Sequence, residues 1–254
     1  ASTIKLLKIR IAKMSLISLK GKTAIVTGTK RIGAKVAKRL SEEGINLAIL
    51  YNSSEKQAIN LSESLESKCI PIHCDLDSET SISKAFSVTF DYFGSIDFLV
   101  NIASGFKRTP FDLLTGMSWD EGMADAKNSY ILSLEAAKAM TQNKGPSKGH
   151  IIHFGDWAAD NNPYKNYLPY LVSKAAVHYS TKALAVELAP KGILVNAIAP
   201  GPTIKPPTVS SEVWQAEVIS QTPLAKESSP DDIAEMVVSL LRTQTVTGEI
   251  IRVD

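Results

Sequence analysis

The chain reads as an α/β domain built on a doubly wound, mostly parallel sheet of about seven strands, with helices on both faces. From Thr23 onward, short β-branched apolar runs alternate with longer amphipathic stretches, which is the pattern of repeated βα units. The short runs, such as Thr23–Thr27 (TAIVT), are continuously apolar, as strands buried on both faces require. No Pro/Gly/Ser-rich linker or shift of composition interrupts the pattern, so a single domain is expected.

Taken in order, Thr23–Thr27 is the first strand and Gly33–Leu40 the first helix, closed by Gly44, where glycine suits a helix end. Leu47–Tyr51 is the second strand, and a helix follows over Glu55–Ser67. Cys69–Cys74, Phe98–Ile102, His150–Phe154, Leu194–Ala199 and Glu249–Val253 complete the seven, with helical patterns in the gaps. Ligands of an open parallel sheet bind beyond the carboxyl ends of the strands, where the strand order reverses. Candidate residues are therefore sought just after strands.

Composition narrows the function classes. The 254 residues are 44% apolar, enough for one well-buried domain. Lys and Arg number 28 against 26 Asp and Glu, which leaves no basic footprint for nucleic acid. No apolar run approaches the roughly 18 residues of a membrane span, so a soluble protein is expected. Cys69 and Cys74 are too few for a disulfide framework, and His73, His150, His153 and His178 lack the paired spacing of a metal site. Free thiols in an apolar strand suit the reducing cytoplasm. Residues 1–18 carry Lys5, Lys8, Arg10 and Lys13 and no acid. They are expected to lie outside the domain at 19–254, either as an upstream start ahead of Met14 or as a segment with some likeness to a transit peptide.

Four strand ends carry the candidate chemistry. The first is Thr27-Gly28-Thr29-Lys30-Arg31-Ile32-Gly33, where glycines let the backbone approach a pyrophosphate and the next helix offers free N–H groups. At the first βα crossing they read as the phosphate turn of a Rossmann-type sheet; the alternative is an ordinary tight strand-to-helix turn. The second is Tyr51-Asn52-Ser53-Ser54. An NAD site usually has an acid here for the ribose 2′-hydroxyl. Its absence, with Lys30 and Arg31 near, predicts NADP(H) over NAD. Asp75 and Leu76, ending the third strand, join the cofactor-binding candidates.

The third is Asn101-Ile102-Ala103-Ser104-Gly105-Phe106, whose small residues let a cofactor lie on the backbone. Phe106 either packs in the core or offers a flat face for a ring. The fourth is Asp156 to Lys174, ending in Tyr170-x-x-x-Lys174. Four residues along a helix are one turn, so the Lys174 ammonium would sit by the phenol and lower its pKa from about 10 towards the working pH. The bland alternative is an amphipathic helix with a surface lysine. Beyond the sixth strand come Pro200-Gly201-Pro202-Thr203 and a Pro-rich segment, about 202–222, that holds Trp214 and reads as a substrate lid.

These features, in this order, resemble the short-chain dehydrogenase/reductase family over Leu19 to Asp254: the Thr-Gly turn, Asn101-x-Ala103, Asn128 in the middle helix, Tyr170-x-x-x-Lys174 and Pro200-Gly201. The resemblance implies a nicotinamide cofactor and hydride transfer to a small-molecule substrate. It also implies that Lys174 holds the nicotinamide ribose and that Asn128 anchors a water in the proton path.

Two departures stand out. The glycine turn is one residue short of Thr-Gly-x-x-x-Gly-x-Gly, with Arg31 near the missing middle glycine, and Asp156 stands where most members have a catalytic serine. Both are similar to the pteridine reductase branch, as are Ser104, Phe106, Trp214 and the Tyr51-x-x-Ser54 region. That likeness implies reduction of a C=N bond in a pterin- or folate-like ring held against Phe106 and Trp214, with Asp156 and Tyr170 handling the proton. The alternatives are a carbonyl reductase acting on a 3-oxoacyl thioester, a sugar or a ketone, and an inactive nucleotide-binding regulator. The bland alternative for Asp156 is a helix-capping or loop carboxylate without a part in chemistry.

Ala175, Val177, Leu184 and Val186 spread apolar surface around the Tyr170 helix. That surface, as in the family, points to a homodimer or homotetramer. The sequence stops at Val253-Asp254, where members generally continue with a short tail.

Overall fold

The computed structural model describes residues 16–160, 163–205 and 209–254. Seven strands form one parallel sheet in the order β3-β2-β1-β4-β5-β6-β7: β1 Thr23–Thr27, β2 Asn46–Tyr51, β3 Cys69–His73, β4 Phe98–Asn101, β5 Gly149–Phe154, β6 Ile193–Pro200 and β7 Ile250–Val253. The order reverses between β1 and β4, which places the ligand crevice at their carboxyl ends.

The helices are α1 Ile32–Glu42, α2 Glu55–Glu63, α3 Glu79–Phe93, α4 Gly116–Met140, α5 Leu168–Leu188, α6 Ser211–Val213 and α7 Pro230–Arg242. Strands of the sheet feed two cores because successive side chains alternate in direction. Ala24, Val26, Phe98, Val100 and Ile152 pack with α1 and α7 on one face. Ile25, Leu99 and Ile151 pack with α3, α4 and α5 on the other. Two buried faces leave no solvent-facing position in β1, which accounts for its run of apolar and β-branched residues.

Three expectations are adjusted. The second helix ends at Glu63 rather than Ser67; Leu65 then packs against the core from outside the helix. The Ile17 amide donates to the Arg242 carbonyl at 3.1 Å, so the packed body reaches upstream of the expected boundary at residue 19. The segment expected to be a lid is partly helical: α6 runs into a π-turn at Trp214–Val218 and a 3-10 turn at Ile219–Gln221, while Pro206–Thr208 lie outside the described residues. No helix among the described residues is long and apolar enough to cross a membrane.

Candidate active site

The β1–α1 turn is built around close backbone contact. A Cβ on Gly33 would lie 2.6 Å from the Gly28 carbonyl oxygen, so only glycine fits there. Gly28 has φ 93° and lies against Ala103, the left-handed region glycine enters freely. Arg31 is the N-cap of α1, with φ 51° and ψ −117° and no side-chain cap bond. A non-glycine residue in that region is strained, and it holds the place of the family's missing glycine. The first turn of α1 has no acidic residue, so the free N–H groups and the positive helix end face the crevice with Lys30 and Arg31 exposed beside them.

The other cofactor candidates line the same strand ends. The Thr29 and Ser54 hydroxyls share a hydrogen bond of 2.7 Å, which brings the β1 and β2 turns together. Asn52 and Ser53 are exposed, and the Tyr51 hydroxyl leans on Glu55 at 3.4 Å. The Asp75 amide donates to Ser81 at 3.0 Å, and Leu76 packs against the core. Ile32 likewise packs on the core below the glycine turn. Asn101 is held from both sides: Thr27 Oγ1 donates to its Oδ1 at 2.8 Å, and its Nδ2 donates to Ser129 Oγ at 2.8 Å. Thr27 Oγ1 also accepts from the Ala103 amide. Pro200 ends β6, the Gly201 amide continues the ladder to Val253, and Thr203 bonds to Ser228 at 2.8 Å. These residues fit a dinucleotide: a glycine cradle that a Cβ would fill, an uncapped helix end, and hydroxyls at the end of β2, with Glu55 beyond them at the start of α2.

Tyr170 lies in the first turn of α5, after Pro169 has fixed the helix start. Its hydroxyl donates to Asp156 Oδ2 at 2.7 Å. Asp156 Oδ1 accepts from the Tyr164 hydroxyl at 2.8 Å and from the Ala158 amide at 2.9 Å. Asp156 thus both caps the short turn Trp157–Ala159 and binds two phenols. Trp157 Nε1 donates to the Tyr164 oxygen at 2.8 Å. Lys174 is buried; its Nζ donates to the Phe154 carbonyl at 2.9 Å and lies 3.7 Å from Asp125 Oδ2.

The expected lowering of the tyrosine pKa does not hold in this arrangement. Burial, then the charge of Asp156 and the hydrogen bond to it, push the Tyr170 phenol well above its ordinary range. The spacing argument weighed Lys174 alone, whereas the Lys174 ammonium is 5.8 Å from the phenol ring centre and the carboxylate touches the oxygen. Lys174 itself is pushed down by burial, opposed by Asp125 and Asp156.

Asn128 is also not where the reading put it. Its side chain donates to Asp77 Oδ1 at 3.0 Å, outside the Tyr170–Lys174 group. One residue on, Ser129 faces the sheet, and one turn earlier Asp125 accepts from the Ser104 hydroxyl and the Gly105 amide. Each helical residue is turned by about 100° from the last, so the neighbours Asn128 and Ser129 point to different partners, Asp77 and Asn101.

Phe106 is half exposed and stacks on Tyr167, with centroids 4.6 Å apart and planes at 22°; its edge meets Tyr170 at 5.0 Å. A cavity of about 50 Å³ opens beside Tyr170, lined by Gly105, Lys107, Glu121, Gly122, Asp125 and Pro169. Trp214 is not in that lining. It is buried, with its indole N–H donating to Glu227 rather than reaching the cavity beside Tyr170. Sequence reading missed Asp125, Tyr164 and Tyr167. Asp125 sits one turn before Ser129, but nothing in a lone acid on a helix marks it.

Among the described residues, no group of three or more His, Cys, Asp or Glu could hold a metal ion. A family profile described as enoyl-(acyl carrier protein) reductase matches residues 26–254. A 3-oxoacyl-[acyl-carrier-protein] reductase of Aquifex aeolicus is 30% identical over 247 residues, covering 94% of this chain and 98% of that protein. A dehydrogenase/reductase from Sinorhizobium meliloti superposes with a TM-score of 0.86 at 31% identity, covering 95% of this chain and 96% of the other. A short-chain dehydrogenase from Burkholderia cenocepacia, solved in complex with NADP, gives a TM-score of 0.84 at 29% identity, with 94% and 98% coverage. With the glycine turn, the Tyr170–Lys174 pair and the sheet order already in place, these matches show that the chain belongs to the short-chain dehydrogenase/reductase family.

Proposed function

We propose that this chain is an NADP(H)-dependent reductase of a ketone carbonyl. The observation that carries the reading is Tyr170, a phenol at the wall of a cavity, on the helix that also supplies Lys174. A relative named for reducing a 3-oxoacyl group and a neighbour solved with NADP support it. Gly28, Gly33, Arg31, Lys30 and Ser54 would hold the dinucleotide, which when bound supplies the hydride for the carbonyl carbon. Tyr170 passes its proton to the carbonyl oxygen, so the C=O bond gains hydride and proton and becomes an alcohol. Lys174 supplies positive charge beside the phenol as it gives that proton up. Phe106 and Tyr167 present a flat aromatic wall, suited to a planar or conjugated substrate.

One observation favours a second reading, reduction of a C=N bond in a pterin- or folate-like ring. Asp156 holds the Tyr170 proton at 2.7 Å, and a carboxylate at that place repels a developing alkoxide but accepts from a ring N–H. The two readings part on one experiment. NADPH oxidation is followed with an acetoacetyl thioester, a cyclic diketone, dihydrobiopterin and dihydrofolate, for the wild type and Asp156→Ser. Ketone turnover kept or raised by the serine supports the carbonyl reading. Turnover of the pterin or folate alone, abolished by the serine, overturns it in favour of the second. The exposed Tyr179 and Val186 of α5 fit the dimer or tetramer that we include in the proposal.

A further inference from the structure

Helix α5 carries a third polar residue in line with Tyr170 and Lys174. His178 follows Lys174 by four residues, as Lys174 follows Tyr170, so the three stack along one side of the helix. They hold the end of β5 and the turn after it. Lys174 Nζ donates to the Phe154 carbonyl at 2.9 Å and Tyr170 to the Asp156 carboxylate at 2.7 Å. The Asp156 amide donates to His178 Nε2 at 3.3 Å.

The imidazole is 3% exposed, and it fills the volume that a side chain on residue 155 would need: a Cβ there would lie 1.9 Å from Nε2. Because Nε2 accepts, the ring proton belongs on Nδ1. There it meets Asp160 Oδ1 at 2.9 Å, a carboxylate on the wet side of the ring with a side chain 46% exposed. Asp160 therefore selects the tautomer, and the tautomer selects the backbone position of Asp156.

We propose that His178, kept as the Nδ1–H tautomer by Asp160, is a positioning residue that fixes the main chain at Asp156 and so sets where the Tyr170 proton points. This rests on reading Asp156 and Tyr170 as the proton-handling pair. The competing role for His178 is polar filler in the core. The two roles separate because glutamine and asparagine each imitate one ring nitrogen. In His178→Gln the carboxamide reaches the Nε2 position and can accept from the Asp156 amide. In His178→Asn the shorter carboxamide matches Nδ1 and can donate to Asp160, but stops short of Asp156.

The test uses the full chain. Steady-state kinetics with the best substrate of the panel are set beside NADPH binding by fluorescence and thermal melting. His178→Gln should stay within about threefold of the wild type, while His178→Asn should lose about tenfold or more in kcat with KM and NADPH affinity little changed, because small displacements of reacting groups cost rate rather than binding. An Asn variant with wild-type kcat, or equal losses in both variants, overturns the proposal.

A second arm needs no substrate. Nitrogen-15 NMR of the wild type should show His178 protonated on Nδ1 alone, and the Asp156 amide protected from exchange in the wild type and the Gln variant but not in the Asn variant. A proton on Nε2, or an amide equally protected in both variants, overturns it as well. If the wild type turns over no substrate, the proposed reaction fails on its own, and amide protection alone decides whether His178 fixes Asp156.

Discussion

The Tyr170 hydroxyl donates to Asp156 Oδ2 at 2.7 Å, so the proton that the carbonyl reading sends to substrate points at a carboxylate. Burial and Asp156 both push the phenol up. Removing the charge and the acceptor reverses one of these causes and leaves Lys174 in place, so Asp156→Ser should ionise Tyr170 at lower pH than the wild type. Ultraviolet difference titration of tyrosinate, with Tyr170→Phe to assign the signal, reads this directly. Superimposable titrations of wild type and Asp156→Ser would remove Asp156 as a control on the phenol.

Gly33 tests the cofactor cradle. An added methyl would meet the Gly28 carbonyl at 2.6 Å, and backbone cannot yield as a flexible side chain does. Gly33→Ala should cost about 1–3 kcal/mol of stability by overpacking and weaken NADPH binding by roughly tenfold or more as the turn is forced open. Calorimetric titration with NADPH and a thermal melt check the pair. Wild-type affinity in the variant would place the dinucleotide elsewhere.

Much of this site was readable from sequence because its backbone contributions leave compositional marks. Gly28 and Gly33 are glycines for reasons of φ and space, and Tyr170 and Lys174 keep helical spacing; both signals survive without coordinates. The strands were readable within a residue or two, since burial on two faces writes a continuous apolar run. What did not show was direction. Asn128 and Ser129 are neighbours in sequence but face different partners, and one-letter spacing could not say that Trp214 is held by Glu227, just beyond its own segment. Nor could it weigh Asp156 against Lys174 at the phenol, because contact distance decides that balance. His178 was the recoverable miss, since it continues the Tyr170–Lys174 spacing by one more turn.

Arg31 sits at φ 51° and ψ −117°, a conformation that costs a non-glycine residue about 1–3 kcal/mol. Its side chain is exposed and its charge lies at the mouth of the uncapped α1. Arg31→Gly relieves the strain and removes the charge at once, while it also frees the unfolded chain by about 1 kcal/mol or less. Stability should therefore hold or rise. NADPH affinity should fall while NADH affinity barely moves, because only the former carries the 2′-phosphate that the arginine would meet. Parallel titrations with both cofactors and a melting curve suffice. Equal loss for NADH and NADPH would show that Arg31 shapes the turn rather than reading the phosphate.

His153 gives the fold a pH limit independent of the reaction. Its ring is wholly buried, with Nδ1 against Thr181 at 2.9 Å and Nε2 against Ser133 at 2.8 Å. Burial, helped by the charge of Lys174, pushes it down to about 4; burial pushes His150 down to about 4 as well. A histidine near 6.5 in the unfolded chain takes up its proton before the folded protein can. The stability from each neutral ring is thus complete above about pH 6.5 and is lost as pH falls towards 4, on the order of 3 kcal/mol per ring at the lower end. The carboxylates with lowered values, Glu43, Glu212 and Asp232, titrate below that window, so the fall between about pH 6.5 and 5 belongs to the histidines. Urea midpoints across that range should decline steadily in the wild type. His153→Asn, which cannot titrate, should start less stable and lose roughly half of that slope; an unchanged slope would assign the acid sensitivity to other groups.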